Sequence, residues 1–351
     1  MFSKMPRAPR CAGIVRGIFI FACLALFGIA AHAGDLQRHS YSRPAMGSVF
    51  RIELYAQDAT VAEKAAEAAF QRIEALNQCA SDYLPESELS RLNKAPANSP
   101  IKVSEDLFVL VARSSEISAQ TDGAFDITAT YAIQHWRRAR RQKKLPTAEQ
   151  TQRAIAMTDW SAVKLDEKER TVTKMKEGLL LDLGGIGKGF AADAALAVLK
   201  EHGITRALVA GSGDVAAGDA PPGKAGWDVA LRTFEAPEEK EQLTHVMLKN
   251  CGCSTSGDLH QFVELDGKRY SHIVDPRTGL GLTDRIACTV ISPDATTSDG
   301  LATALCVLGV EKGLRVAEKS QGTVARFVWL TEDGVRRTRE SSGFQGLVQP
   351  K

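Results

Sequence analysis

Three stretches of this sequence place residue types suited to phosphate and cation chemistry at usable spacings. In Ser298-Asp299-Gly300-Leu301-Ala302-Thr303, Asp299 and Thr303 lie four residues apart and would share one face of a helix. A carboxylate and a hydroxyl on one face suit a hard cation such as Mg²⁺, which prefers oxygen ligands. An acid near a helix start is also favoured by the helix dipole alone, and that plainer reading stands beside the first. In Leu181-Asp182-Leu183-Gly184-Gly185-Ile186-Gly187-Lys188-Gly189, a short apolar strand (179–183) runs into a glycine-rich turn and a helix start. Glycines let backbone groups approach a ligand, a helix start attracts anionic groups, and Lys188 adds a point charge. The spacing is neither a Walker A loop nor a dinucleotide fingerprint, so a tight turn without a ligand is an equal reading. In Tyr270-Ser271-His272-Ile273-Val274-Asp275-Pro276-Arg277-Thr278-Gly279, His272 could serve as a general base and Arg277 could hold a phosphate. Asp-Pro and Thr-Gly are also turn formers, and Arg277 could simply pair with Asp275.

Gly123-Ala124-Phe125-Asp126, Met46-Gly47-Ser48 and Tyr83 are weaker signals. Met and aromatic side chains can sandwich a flat ring, and a carboxylate can accept from a ring N–H, but such residues more often fill cores.

The elements that must position these residues follow from periodicity. Apolar and polar residues alternate over 48–55, as in a half-buried strand. Thr60 and Glu63 have capping-box spacing before an alanine-rich amphipathic helix to about Gln78. A short helix is expected through Leu92, and another from a Ser104 cap to about Gln120. The basic run 137–144 reads as a solvated connection ended by Pro146, with Thr147 and Gln150 capping the next helix. Hairpins are expected over 163–174, around Asp266-Gly267 and around Asp333-Gly334, where Asp-Gly fits a type I′ turn. Strands are expected over 207–210, 227–232 and 244–249, and helices from Lys188 to His202 and from Ser298 to Leu308, ended by Gly309. Helices and strands mix without βαβ alternation, which makes the fold class α+β.

At 351 residues with 44% hydrophobic and 25% charged residues, the composition is that of a globular protein with a substantial core. The first 33 residues differ from the rest. Lys4, Arg7, Arg10 and Arg16 precede an apolar run from Gly17 to Ala31, and Ala31-His32-Ala33 has the small-x-small form of a cleavage site. Residues 1–33 are therefore expected to be a signal peptide, residues 34–351 one domain, and the protein periplasmic. The run is short for a membrane span, and Phe21 two residues before Cys23 fits a lipoprotein signal poorly. Loss of four cationic and no acidic residues takes the net charge from +2 to −2. Nucleic acid is a poor candidate partner. Cys79, Cys251, Cys253, Cys288 and Cys306 remain, an odd number; Cys251-Gly-Cys253 has no second cluster that would make it a zinc site.

The blocks also occur in a recognisable order. From about Met46 to about Thr303 the chain resembles the FAD:protein FMN transferases, the ApbE-like family. Met46-Gly47-Ser48, Tyr83 to Asn93, Gly123 to Asp126, Asp182 to Gly189, His272 to Gly279 and Asp299 to Thr303 carry the resemblance. It implies a compact α+β domain with mixed sheets, packed helices and an elongated FAD cleft. By carry-over, Met46, Tyr83, Ala124, Phe125, Asp126, Asp182, Lys188 and Ile273 would contact FAD. The Gly185 carbonyl, Asp299 and Thr303 would ligate Mg²⁺, and His272 would be the base. The implied reaction cleaves FAD, joins FMN by a phosphoester to a Ser or Thr of an exported electron-transfer protein, and releases AMP. Two other functions use overlapping residues: an FAD pyrophosphatase yielding FMN and AMP, and a non-catalytic exported flavin carrier. The chain departs from the family pattern at Ala210-Gly211-Ser212-Gly213-Asp214, where Asn-Ala-Gly-Gly-Asp is usual. It also has Gly187 where Ala is frequent and Tyr131 where Pro is usual, and the basic insertion follows, which bears on target docking.

Overall fold

The computed structural model of the chain describes residues 35–231, 234, 243–258 and 261–349. The expected signal peptide lies outside the described residues.

The alternation over Ser48–Ala56 forms a strand that buries Phe50, Ile52, Leu54 and Ala56. This strand, β2, pairs antiparallel along its whole length with Gln37–Ala45, β1. Six more strands extend the sheet in chain order: β3 Ala207–Gly211, β4 Asp214–Ala217, β5 Cys251–Gly257, β6 Ile286–Ser292, β7 Val324–Leu330 and β8 Arg336–Glu340. Every neighbouring pair is antiparallel.

Strand side chains alternate between the two faces of the sheet. Val209 and Ala216 bury against an apolar cluster fed by helices α1, Ala59–Ala80, and α6, Gly187–Glu201. Leu208, Val215 and Ala217, one residue out of phase, bury against the hairpin Trp227–Leu231/Thr244–Leu248 and Phe344. The sheet is thus covered on both faces. Helices α2, Glu88–Lys94, α3, Glu105–Gln120, α4, Thr130–Gln142, α5, Ala148–Ala156, and α7, Ala295–Lys319, complete the helical part. The α+β class and the three expected hairpins are as the sequence implies.

Several expectations need correction. The α1 cap is Asp58, whose carboxylate accepts from the Thr60 and Val61 amides, so Thr60 and Glu63 form no capping box. Leu179–Leu183 is extended but joins no sheet. Its backbone groups are taken instead by Asn93, which brackets Leu181 at 2.8 and 2.9 Å, by Thr130 at 2.8 Å and by the Ile127 carbonyl at 2.8 Å. Helix α7 starts at Ala295 under an Asp294 cap; at Gly309, with φ 75°, the chain breaks and a second helical piece continues to Lys319. Most of the basic run is no connection: its residues up to Gln142 are the C-terminal half of α4, anchored by buried Ala132, Trp136 and Ala139, and Lys143 and Lys144 follow the helix end.

Candidate functional site

Where α6, α7, β5 and the extended segment before α6 meet, the surface opens into a cleft of about 1210 Å³. Its lining contains Met46, Tyr83, Ala124, Phe125, Asp126, Asp182, Gly185, Lys188, His272, Ile273, Asp299 and Thr303. Residues 257 positions apart in the chain, Met46 and Thr303, are thus brought to one site.

At the inner end the starts of α6 and α7 touch. Helix α6 has no side-chain cap of its own. Its Gly189 amide donates instead to Asp299 Oδ2 of α7 at 2.9 Å. A Cβ at Gly189 would lie 2.2 Å from the Ala295 carbonyl and 2.8 Å from Asp299 Cβ, so only glycine permits this approach. The register of α7 is fixed by two carboxylates, Asp294 capping Thr297 and Asp193 of α6 accepting from the Ala295 and Thr296 amides. Lys188, one residue before Gly189, donates to Asp214 at 2.5 Å. Burial, then the neighbouring Asp214 carboxylate, pushes the buried Asp299 carboxyl up to about 7, against the pull of Lys188 and the Gly189 amide. Burial would lower the Lys188 ammonium, but Asp299 and Asp214 outweigh it and hold the group above its ordinary value. Two carboxylates therefore share one ammonium. Across this cluster, a Cβ direction from Gly185 meets Phe125 Cε2 at 3.1 Å and Thr303 Cγ2 at 3.9 Å.

Met46 and Gly47 form the two-residue turn between β1 and β2, both with positive φ, at 49° and 69°. A left-handed methionine is strained, as residues at binding sites often are. Its Cε comes within 3.6 Å of the Cβ position of Gly187 at the α6 start. Ser212 has φ 62° in the β3–β4 turn, where the family pattern carries glycine.

His272 Nδ1 lies 3.2 Å from the Gln261 carbonyl. A carbonyl only accepts, so Nδ1 carries the proton and Nε2 keeps its lone pair. Burial first, with Arg140 and Lys188 adding repulsion, lowers the imidazole to about 4, so it is neutral at pH 7. Asp126 lines the cleft, but its oxygens already accept from Thr128 N and Oγ1 at 2.7 and 2.6 Å and from Trp160 N at 3.1 Å. Asp275 and Arg277 pair with each other at 2.8 Å, as the turn reading allowed.

Sequence reasoning missed Arg137, Asp82 and Arg140. Arg137 reaches from α4 to Asp82 at 2.5 Å and to buried Asp182 at 3.0 Å, and its guanidinium lies 4.9 Å from the Tyr83 ring centroid. Burial pushes the Asp182 carboxyl up, and Arg137 opposes that shift. The signal was present: Ala132, Trp136 and Ala139 recur at helical spacing and put Arg137 and Arg140 at the edge of a buried stripe.

An antiparallel sheet covered on both faces, with a carboxylate–lysine cluster and aromatic side chains lining one cleft, defines a single-domain α+β class. The chain belongs to the ApbE family, whose sequence profile matches residues 46–328. It is 31% identical over 343 residues to an FAD:protein FMN transferase of Haemophilus influenzae, covering 95% of this chain and 98% of that one. With the FAD:protein FMN transferase of Escherichia coli K12 it shares 32% identity over 317 residues, 87% of this chain and 86% of the relative. Among solved structures, the apo flavinyl transferase ApbE of Pseudomonas stutzeri superposes with a TM-score of 0.79 at 31% identity, covering 90% of this chain and 98% of that one.

Proposed function

We propose that this protein is an FAD:protein FMN transferase that acts on exported proteins. The observation that carries the reading is the convergence, in one cleft, of ring-sized apolar walls and a buried cluster of two carboxylates on one ammonium.

FAD would lie along the cleft with its rings against Met46, Tyr83 and Phe125 and its diphosphate toward Lys188 and the uncapped α6 start. The hydroxyl of an acceptor Ser or Thr gives its proton to His272 Nε2 as its oxygen bonds to the FMN phosphorus. The bond from that phosphorus to the bridging oxygen breaks, and AMP leaves. An imidazole held near 4 is neutral but a weak base; the anionic diphosphate beside it raises its basicity where the reaction needs it.

The donor set fits Mg²⁺. The Asp299 carboxylate, the Thr303 hydroxyl and the Gly185 carbonyl are hard oxygens, and with both carboxylates ionised the Asp214–Asp299–Lys188 cluster would carry one net negative charge for a cation to neutralise. Among the described residues no group of three or more His, Cys, Asp or Glu side chains converges. Such an ion would therefore complete its shell with waters and substrate oxygens, as Mg²⁺ commonly does. When bound, it would offset charge on the diphosphate during transfer.

His272→Ala is expected to bind FAD with unchanged affinity while transfer falls about 10²–10⁴-fold, the usual contribution of a positioned base. Single-turnover AMP release beside FAD fluorescence titration checks both quantities; wild-type turnover in the variant would remove His272 from the mechanism.

The same reading has residues 1–33 act as an export signal cleaved after Ala33, which places the reaction and its acceptor outside the cytoplasm. N-terminal sequencing of exported protein is expected to start at Gly34, and a lipid-modified Cys23 would contradict it.

A further inference from the structure

Helix α4 lines part of the cleft through Ile133, Trp136, Arg137 and Arg140. Arg137 lies against Tyr83 and Asp182. One turn on, Arg140 also lines the cleft, and its charge acts on His272. On the outer side Arg138 and Arg141 are exposed, as are Lys143 and Lys144 just past the helix end. No acidic residue occurs between Asp126 and Glu149. Of the six cations, Arg137 alone has an ion pair among the described residues.

A helix C-terminus favours a cation or two through its dipole. It does not account for this density, because Arg137/Arg140 and Arg138/Arg141 at i,i+3 and Arg137/Arg141 at i,i+4 repel one another along the helix. Arg137 is offset by Asp82 and Asp182, so the uncompensated repulsion falls on Arg138, Arg140 and Arg141, and anionic groups against the ridge would relieve it.

We propose that the outer ridge of α4, Arg138 and Arg141 with Lys143 and Lys144, is the docking surface for an acidic segment beside the acceptor hydroxyl of the target protein. The proposal rests on the transferase reading. Two considerations favour a protein over a lipid surface. The apolar face of α4, with Trp136 and Ala139, is buried against Val263, Leu265 and Tyr270, so the helix has no apolar face to lay into a bilayer. The transferase reading also calls for a protein, not a lipid, beside the cleft. A segment bound to Arg138 and Arg141 is within ~6 Å along the helix of the cleft wall at Arg137, so docking there brings a neighbouring hydroxyl to the site. In this arrangement Arg137 and Arg140 face the nucleotide and the outer cations select the acceptor.

The test titrates a fluorescein-labelled peptide, one threonine flanked by four glutamates on each side, and its glutamine counterpart onto the purified protein. The glutamate peptide is expected to bind at low salt and to weaken as salt rises, while the glutamine peptide does not bind. The double variant Arg138→Glu/Arg141→Glu is expected to weaken glutamate-peptide binding by about tenfold or more, with FAD affinity unchanged. Equal binding of the two peptides, or equal affinity of variant and wild type, overturns the proposal. So does retention of wild type but not variant on phosphatidylglycerol vesicles, which would assign the ridge to a lipid surface. If wild type releases no AMP from FAD and Mg²⁺ with an acceptor domain present, the transferase reading fails instead, whatever the peptides do.

Discussion

Asp299→Ala is expected to keep FAD bound and to lower turnover by about 10³-fold or more, with no recovery at high Mg²⁺. The carboxylate does two things in the fold. It accepts from the Gly189 amide at 2.9 Å, which holds α6 against α7, and with Thr303, four residues on, it faces the cleft. Removing it leaves that buried amide without its partner, at a cost of about 1–3 kcal/mol. Asp299→Asn separates the two roles: the amide oxygen can still accept from Gly189, but the charge is gone, so stability is expected to return while turnover is not. The pH dependence gives an independent check. With Asp299 pushed up to about 7, a proton competes with a cation below that pH. Mg²⁺ affinity of the wild type should therefore fall by up to about tenfold for each unit below pH 7 and level off above it. Calorimetric Mg²⁺ titrations at several pH values read this directly; a flat profile, or unchanged magnesium dependence in Asp299→Ala, would remove Asp299 from the ligand set.

Gly252→Ala is expected to be the most destabilising of the conservative substitutions near the site. Its Cβ would lie 2.2 Å from the Ala295 amide nitrogen, 2.3 Å from the Asp294 carbonyl carbon and 2.4 Å from Ala295 Cα. All three are backbone atoms at the start of α7, so no rotamer change relieves the clash. Gly189 faces the same residue from α6, where a Cβ would lie 2.2 Å from the Ala295 carbonyl oxygen. The α7 start is thus wedged between a strand and a helix, each contributing a glycine. Overpacking of this kind costs about 1–3 kcal/mol and occasionally more, and a value near the top is expected here. For a domain of this size that is a fall in Tm of about 4–5 °C. Gly203→Ala, where nothing lies within 4 Å but φ is +78°, isolates the smaller cost of backbone strain. Thermal unfolding of the three proteins distinguishes them: if Gly252→Ala loses no more than Gly203→Ala, α7 is not wedged as described.

Much of this arrangement is legible in the sequence, for local reasons. Ser104 and the Thr147–Gln150 pair cap their helices as their side-chain chemistry requires, and Asp266-Gly267 makes its turn with φ 50° and 74°. What is not legible is what tertiary context decides. β1 is a polar edge strand, and nothing in its sequence marks it until β2 is beside it. β6 is buried at every position, so it lacks the alternation that marks a half-exposed strand. The segment 179–183 has strand-like composition but finds side-chain partners before it finds a ladder. The same limit applies to the site. Asp299, Lys188 and His272 stand out because their types carry chemistry. Arg137 stays hidden in a run of like charges until helical phase separates the cleft-facing arginines from the exposed ones.

The central claim is a transfer, and intact mass of an acceptor domain incubated with this protein, FAD and Mg²⁺ tests it most directly. The expected result is a gain equal to one FMN phosphoester on a Ser or Thr, with matching AMP release, both abolished by EDTA. AMP and free FMN with an unmodified acceptor, across acceptors bearing exposed Ser/Thr sites, would mean that water is the true acceptor, and intact FAD would mean that the cleft binds without catalysis.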